Sequence, residues 1–217
     1  MLKQLTFSGY RCFDEHLVPL KGGSVIVGRN NAGKSTVIEG FRLLSVFSQR
    51  YPNLNFGPVP RWLDLPKRDR GMKADLTGLS ISWQNLFHQY SDPPASVEGT
   101  FENGETLAVH LGPDGAVHAV VRDAGGRAVQ NKGQAREVTL PSLRVLPQVA
   151  PLAREEMILG EDYVRANLSS YLAPQHFRNQ LNYYYDEHFA DFKSLVEGTW
   201  GGLQILGAPP FQWTGDN

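Results

Sequence analysis

The feature that limits this chain most is an abrupt change of period around residue 28. Val25-Ile26-Val27 is a wholly apolar run, the signature of a short strand buried on both faces of a sheet. It is followed by Gly28-Arg29-Asn30-Asn31-Ala32-Gly33-Lys34-Ser35, which fits the pattern Gly-x-x-x-x-Gly-Lys-Ser. From Lys34 onward Val37, Ile38, Phe41, Leu44 and Phe47 fall at helical spacing, with no proline before Pro52. Strand, glycine-rich turn and helix in that order predict a cradle for a polyphosphate. Gly28 lets the chain leave the strand through a tight turn, and Gly33 has no side chain to hold an anion away from the backbone. The amides of residues 31–35 turn inward at the positive end of the helix dipole. Lys34 supplies a full charge to the β- and γ-phosphates, Ser35 a hydroxyl for Mg²⁺, and Thr36 a contact to the α-phosphate. The predicted nucleotide-binding set is therefore Gly28, Asn30, Asn31, Ala32, Gly33, Lys34, Ser35 and Thr36.

The rest of the chain reads as sheet first and helix later. Residues 2–7 alternate as a strand, a polar corner spans 8–11, and a second extended stretch runs from Phe13 to Leu20. Residues 51–80, rich in Pro, Gly and Arg, predict an irregular excursion. Strands are expected at 97–101, 106–111, 116–122 and 137–146. Turn clusters containing Asn103-Gly104, Pro113-Asp114-Gly115 and Ala124-Gly125-Gly126 separate them, which favours an antiparallel meander over further βαβ units. After Pro151 the pattern is helical. Phe177, Leu181, Tyr184, His188, Phe192 and Leu195 form a stripe along a helix expected over 175–200. Its length, about three heptads, suits either a paired helix or one lying on its own core. Tyr184 and His188 are expected inward, with Asp186 and Glu187 in water. The organisation expected is a lobe over 1–150 and a helical segment over 151–217.

Composition removes several function classes. With 21 basic and 22 acidic residues well mixed, the chain has no basic stripe of the kind a nucleic-acid binder presents, so DNA is a partner unsupported by charge. Arg61, Lys67, Arg68, Arg70 and Lys73 cluster among prolines and glycine and read as a solvated loop. No apolar run is long enough to cross a bilayer and no leader is evident, so a cytoplasmic location without membrane attachment is expected. The single cysteine, Cys12, excludes an internal disulfide and a cysteine metal cluster, and is expected to be half-buried. His110 and His118 flank the 113–115 turn and would face each other across a hairpin, but they lack a third ligand and are read as surface residues. Asp123-Ala-Gly-Gly126 and Asn131-Lys-Gly-Gln134 mimic guanine-nucleotide motifs. They lie a few residues apart in a turn region, with Gln134 where an aspartate would read guanine, and are set aside as turn chemistry.

A wider match surrounds the glycine-rich loop. Leu5-Thr-Phe-Ser-Gly-Tyr-Arg-Cys-Phe13, together with Val25 through Phe41, resembles the N-terminal lobe of the ABC-type ATPases of the SMC, RecF and OLD group, many of them bacterial proteins of DNA repair or phage defence. That resemblance implies an α/β P-loop NTPase fold: an ABC ATPase head lobe with an antiparallel β subdomain and a C-terminal helical segment. It implies ATP and Mg²⁺ as cofactors, Arg11 as a basic group near the nucleotide, and Gln148 as a sensor of Mg²⁺ and the γ-phosphate. It also implies a homodimer or partner subunit that supplies a signature motif in trans. The chain contains no run of four apolar residues ending in Asp-Glu, and Leu168-Ser-Ser170 leads to Tyr171 rather than glycine. The expectation is the front part of an ATPase that binds nucleotide and hydrolyses it poorly alone. A P-loop small-molecule kinase, with Arg61, Arg68 and Arg70 as lid arginines, and a non-catalytic assembly subunit are the alternatives.

Overall fold

The computed structural model describes residues 1–51, 53–74, 76, 79, 81–145, 156–168 and 173–207. The chain divides into two compact units, Met1–Val145 and Leu146–Asn217. The first is mixed α/β around one antiparallel sheet. Its elements are β1 (Leu2–Tyr10), β2 (Phe13–Pro19), α1 (Lys34–Arg50), β3 (Phe56–Pro58), β4 (Arg70–Met72), β5 (Ala95–Phe101), β6 (Thr106–Leu111), β7 (Val117–Arg122) and α2 (Lys132–Glu137). The sheet order is β2-β1-β5-β6-β7-β4-β3, and every recorded pairing is antiparallel.

The meander forms where alternation and turn residues agree. β5 buries every second residue, from Ala95 through Val97 and Gly99 to Phe101. Between β6 and β7, Asp114 and Gly115 both take positive φ (53° and 75°), the mirror-image turn whose twist matches the strands it joins. The long-range step is the pairing of β1 with β5, Leu5 opposite Gly99 and Phe7 opposite Val97. α1 lies over this seam, burying Val37, Leu43, Leu44 and Phe47. Two glycines allow the approach. A Cβ at Gly40 would sit 2.7 Å from the Phe7 ring, and one at Gly99 would sit 2.8 Å from Leu44. Gly40→Ala is therefore expected to destabilise the unit by about 1–3 kcal/mol through overpacking, despite the better helix propensity of alanine. A urea midpoint equal to or above that of the wild type would contradict this.

Several expectations fail here. Val25-Ile26-Val27 is neither a strand nor buried: Val25 is 88% and Val27 83% exposed. The last ladder-side bond is Leu20 N–H to the Lys3 carbonyl, and β2 is the outer strand on this side. No described strand lies alongside residues 25–27, which leaves Val25 and Val27 open and only Ile26 partly covered. Ile38 of the predicted α1 stripe is likewise exposed. The strand expected over 137–146 is absent from its described part. Its first residue, Glu137, instead ends the helix α2 (Lys132–Glu137), capped by the Asn131 side chain, which accepts from Gln134 N–H at 3.1 Å. Cys12 is exposed rather than half-buried.

His110 and His118 do face each other across β6 and β7, but they are not surface residues. His118 is 1% exposed, with no hydrogen-bond partner for either ring nitrogen among the described residues, and His110 is half-buried. Gly71 of β4 lies flush on the His118 ring, 2.4 Å separating Nε2 from the place a Cβ would take. Burial pushes both imidazoles down to about 4. The nearby Lys73 charge contributes the lesser part of this at His118, and the neighbouring His118 and Arg122 do so at His110.

The second unit contains α3 (Glu161–Ala166), α4 (Phe177–Tyr183) and α5 (Tyr185–Thr199). The single helix expected over 175–200 breaks at Tyr184 (φ −114°, ψ 16°). Glu156 explains where α4 begins. Its carboxylate accepts from the amides of Arg178 and Asn179, each at 2.9 Å, at the positive end of the helix. Buried Asn179 ties the incoming chain down, donating to the Met157 carbonyl and accepting from Leu159 N–H. α5 has no fully buried residue, and His188, expected inward, is exposed. No helix among the described residues is long and apolar enough to cross a membrane.

Candidate phosphate-binding loop

The corner between β1 and β2 sets the shape of residues 28–35. Gly9 and Arg11 both take positive φ (59° and 52°), which turns the chain so that Cys12 and Phe13 lie beneath the loop. Gly33 rests directly on them. A Cβ there would fall 2.4 Å from the Phe13 ring and 3.1 Å from Cys12 Sγ, and its φ of 84° is a conformation that side chains resist. Phe13 is itself held between rings, 5.2 Å from Phe7 and 4.4 Å from His16.

The loop above this seat is curled, not extended. Ala32 N–H donates to the Arg29 carbonyl at 3.2 Å, and Asn31 takes a φ of 64°. Lys34 folds back so that Nζ donates to the carbonyls of Gly28 (2.8 Å) and Arg29 (2.7 Å). Gly33 is the N-cap of α1 and has no side chain to cap it. Among the described residues the amides of Lys34, Ser35 and Thr36 accordingly have no protein acceptor, while Val37 N–H already bonds the Gly33 carbonyl. Unsatisfied amides at the positive end of a 17-residue helix form a receptor for an anion. Gly28, Asn30, Asn31 and Ala32 are solvent-facing, as is Ser35, so a ligand has access to the groups predicted to bind it. Thr36 differs: its side chain is buried with Oγ1 3.4 Å from Cys12 Sγ, which leaves its amide, not its hydroxyl, as the group available to an anion. The donor set is of the kind a Mg²⁺·nucleotide would need, with the exposed Ser35 hydroxyl available to hold the ion.

Arg11 stands beside the loop but is already engaged. Its Nε and one terminal nitrogen both donate to the Glu39 carboxylate, the latter at 2.7 Å, in the forked geometry that favours arginine. Its amide donates to the Leu86 carbonyl at 2.7 Å, and its own carbonyl accepts from His88 Nδ1 at 2.9 Å. The Glu39 hydrogen bond raises the Arg11 pKa, and burial beside Glu39 raises that of Tyr10. Arg11 thus joins the loop corner, α1 and residues 85–88. Glu39 and the Cys12–Phe13 seat were not singled out from the sequence. The signal for Glu39 was its position one turn after Ser35 on the same helix.

Gln148 lies outside the described residues. Of the two guanine-motif mimics, the first is local turn chemistry as expected and the second instead starts the helix α2. Asp123 Oδ1 accepts from the amides of Gly125 and Arg127, and Asn131 caps α2. Both follow the far end of β7, where Arg122 pairs with Thr106, away from the β1–β2 corner. Arg61, Arg68 and Arg70 are exposed among turns and β4 and form no helix.

No protein-family model matches the chain. A partial similarity runs to the mitochondrial ribosome-releasing factor 2 of Schizosaccharomyces pombe, 28% identical over 107 residues. The match takes in 49% of this chain but only 13% of that protein, a small fragment of the relative's length.

Proposed function

We propose that the chain binds ATP with Mg²⁺ in the loop formed by residues 28–35. The observation that carries this reading is the curled loop itself, with its unsatisfied amides at Lys34, Ser35 and Thr36 and an ammonium group folded over its mouth. A phosphate chain entering there takes the place of the Gly28 and Arg29 carbonyls at Lys34 Nζ, and Ser35 ligates the ion. Arg11, fixed by Glu39, stands next to the nucleotide, and Gln148 is its sensor.

The finer fold proposed is an ABC-type ATPase head lobe of the SMC, RecF and OLD kind, acting in DNA repair or phage defence in the cytoplasm. Exposed Val25 and Val27 support it, because a wholly apolar run before a phosphate loop calls for strands on both sides. Nucleotide then drives association with a second head, in a homodimer or with a partner subunit. Hydrolysis depends on an Asp-Glu strand end and a signature motif that these 217 residues do not carry.

Thermal melting of the purified chain against ATP·Mg²⁺ tests the reading. A saturable rise in Tm that needs Mg²⁺ is expected, with little phosphate release. No rise at any nucleotide concentration returns the chain to the assembly-subunit alternative, and brisk turnover by the chain alone contradicts the division of motifs between two heads.

A further inference from the structure

At the β6–β7 turn there is a cleft of about 370 Å³ that the nucleotide reading does not use, lined by Trp83, Phe87, Gly112, Asp114 and Gly115. Its walls are aromatic and close to backbone. Trp83 lies 3.7 Å from where a Gly115 Cβ would be, and Trp62 covers Gly112 so tightly that a Cβ there would fall 2.6 Å from the indole. Phe87 is pinned by its bridge to Tyr10, and the neighbouring Leu86 by the bond its carbonyl accepts from Arg11. The backbone that carries Phe87 is therefore fixed before any ligand arrives, which lowers the ordering cost of binding.

Asp114 is the only ionisable side chain of this lining. It is exposed at the tip of the turn, held at a φ of 53°, and makes no hydrogen bond or ion pair among the described residues. Elsewhere in this unit Glu39, Asp69 and Asp123 each hold an arginine. Aromatic walls beside one free carboxylate complement a flat cation on an apolar stem. The aromatic rings attract the charge and cover the methylenes, and the carboxylate accepts the N–H donors in parallel.

We propose that this cleft receives an arginine side chain from a partner polypeptide. The inference is independent of nucleotide binding, since none of the lining residues belongs to the 28–35 loop.

The test follows the indole N–H resonance of Trp83 in ¹⁵N-labelled protein, assigned with Trp83→Phe. The probe peptides are acetyl-Gly-Arg-Gly-amide and its citrulline counterpart, which keeps the shape and removes the charge. Saturable movement with the arginine peptide is expected, at an affinity about tenfold or more above that for citrulline. Asp114→Asn suits the turn, because asparagine tolerates positive φ, and is expected to weaken arginine binding to a similar degree. An unmoved resonance, equal binding of the two peptides, or full affinity in Asp114→Asn would overturn the proposal. The peptide comparison needs no variant, so a misfolded mutant cannot shelter it.

Discussion

Lys34→Ala is expected to lower the affinity for ATP·Mg²⁺ by roughly ten- to a hundredfold while leaving the fold in place. Nζ is the full positive charge folded over the loop's mouth, and it lies on two backbone carbonyls that a phosphate oxygen can replace. Hydrogen bonds to charged groups contribute about 1.5–3 kcal/mol net, which converts to that range of affinity. Melting provides a second reading. Nucleotide at a hundred times its Kd stabilises the native state by about 2.7 kcal/mol, and most of this is lost in the variant at the same concentration. The side chain is only partly covered, so the nucleotide-free Tm should move little. Isothermal titration of both proteins decides the matter. Equal affinities would mean that nucleotide, if bound, sits elsewhere.

Acid should begin to destabilise the sheet before ordinary carboxylates titrate. His118 is sealed between β7 and β4 with its imidazole held down to about 4, while the unfolded chain offers an ordinary histidine near 6.5. Below pH 6.5 the unfolded state takes up the proton that the native state refuses, so stability rises with pH across this window. The contribution is complete above about 6.5 and disappears as pH falls toward 4. A difference of that size corresponds to about 3 kcal/mol for His118, a large fraction of a typical domain's stability. His110 loses stability in the same direction. Urea denaturation at pH 7.5, 6 and 4.5 should show the decline. His118→Phe, which fills the space without a proton site, should flatten a large part of it. A wild-type midpoint constant from 7.5 to 4.5 would contradict the account, as would an undiminished slope in the variant.

The parts of the fold that could be read directly were those in which a local pattern and its punctuation agree. β5, β6 and β7 emerge within two residues of their expected limits because alternation is bounded by Asn103-Gly104 and Pro113-Asp114-Gly115. α1 begins at Lys34 as expected, since a glycine N-cap and an apolar period coincide there. Val25-Ile26-Val27 failed for a nonlocal reason: an apolar run records that something covers it, and in this structure no described strand does. The strand expected over 137–146 failed at its start because the capping pair Asn131 and Gln134 begins a helix that runs through Glu137. At the candidate site, the order of glycine, lysine and serine was legible and the seat beneath them was not. That Gly33 rests on Phe13, or that Arg11 holds Glu39, depends on how β1 and β2 turn back on themselves, and no spacing along the chain encodes it.

The pairing of β1 with β5 also sets a timetable. The loop at 28–35 is made early in synthesis, but the strand that anchors its corner is completed only at Phe101. Until that distant pairing closes, Cys12 and Phe13 have no fixed place to offer Gly33. Contacts between remote parts of a chain form slowly because loop closure must precede their reward. A nucleotide bound as proposed would therefore meet a receptor completed late in folding, and would not be the seed around which the early chain condenses.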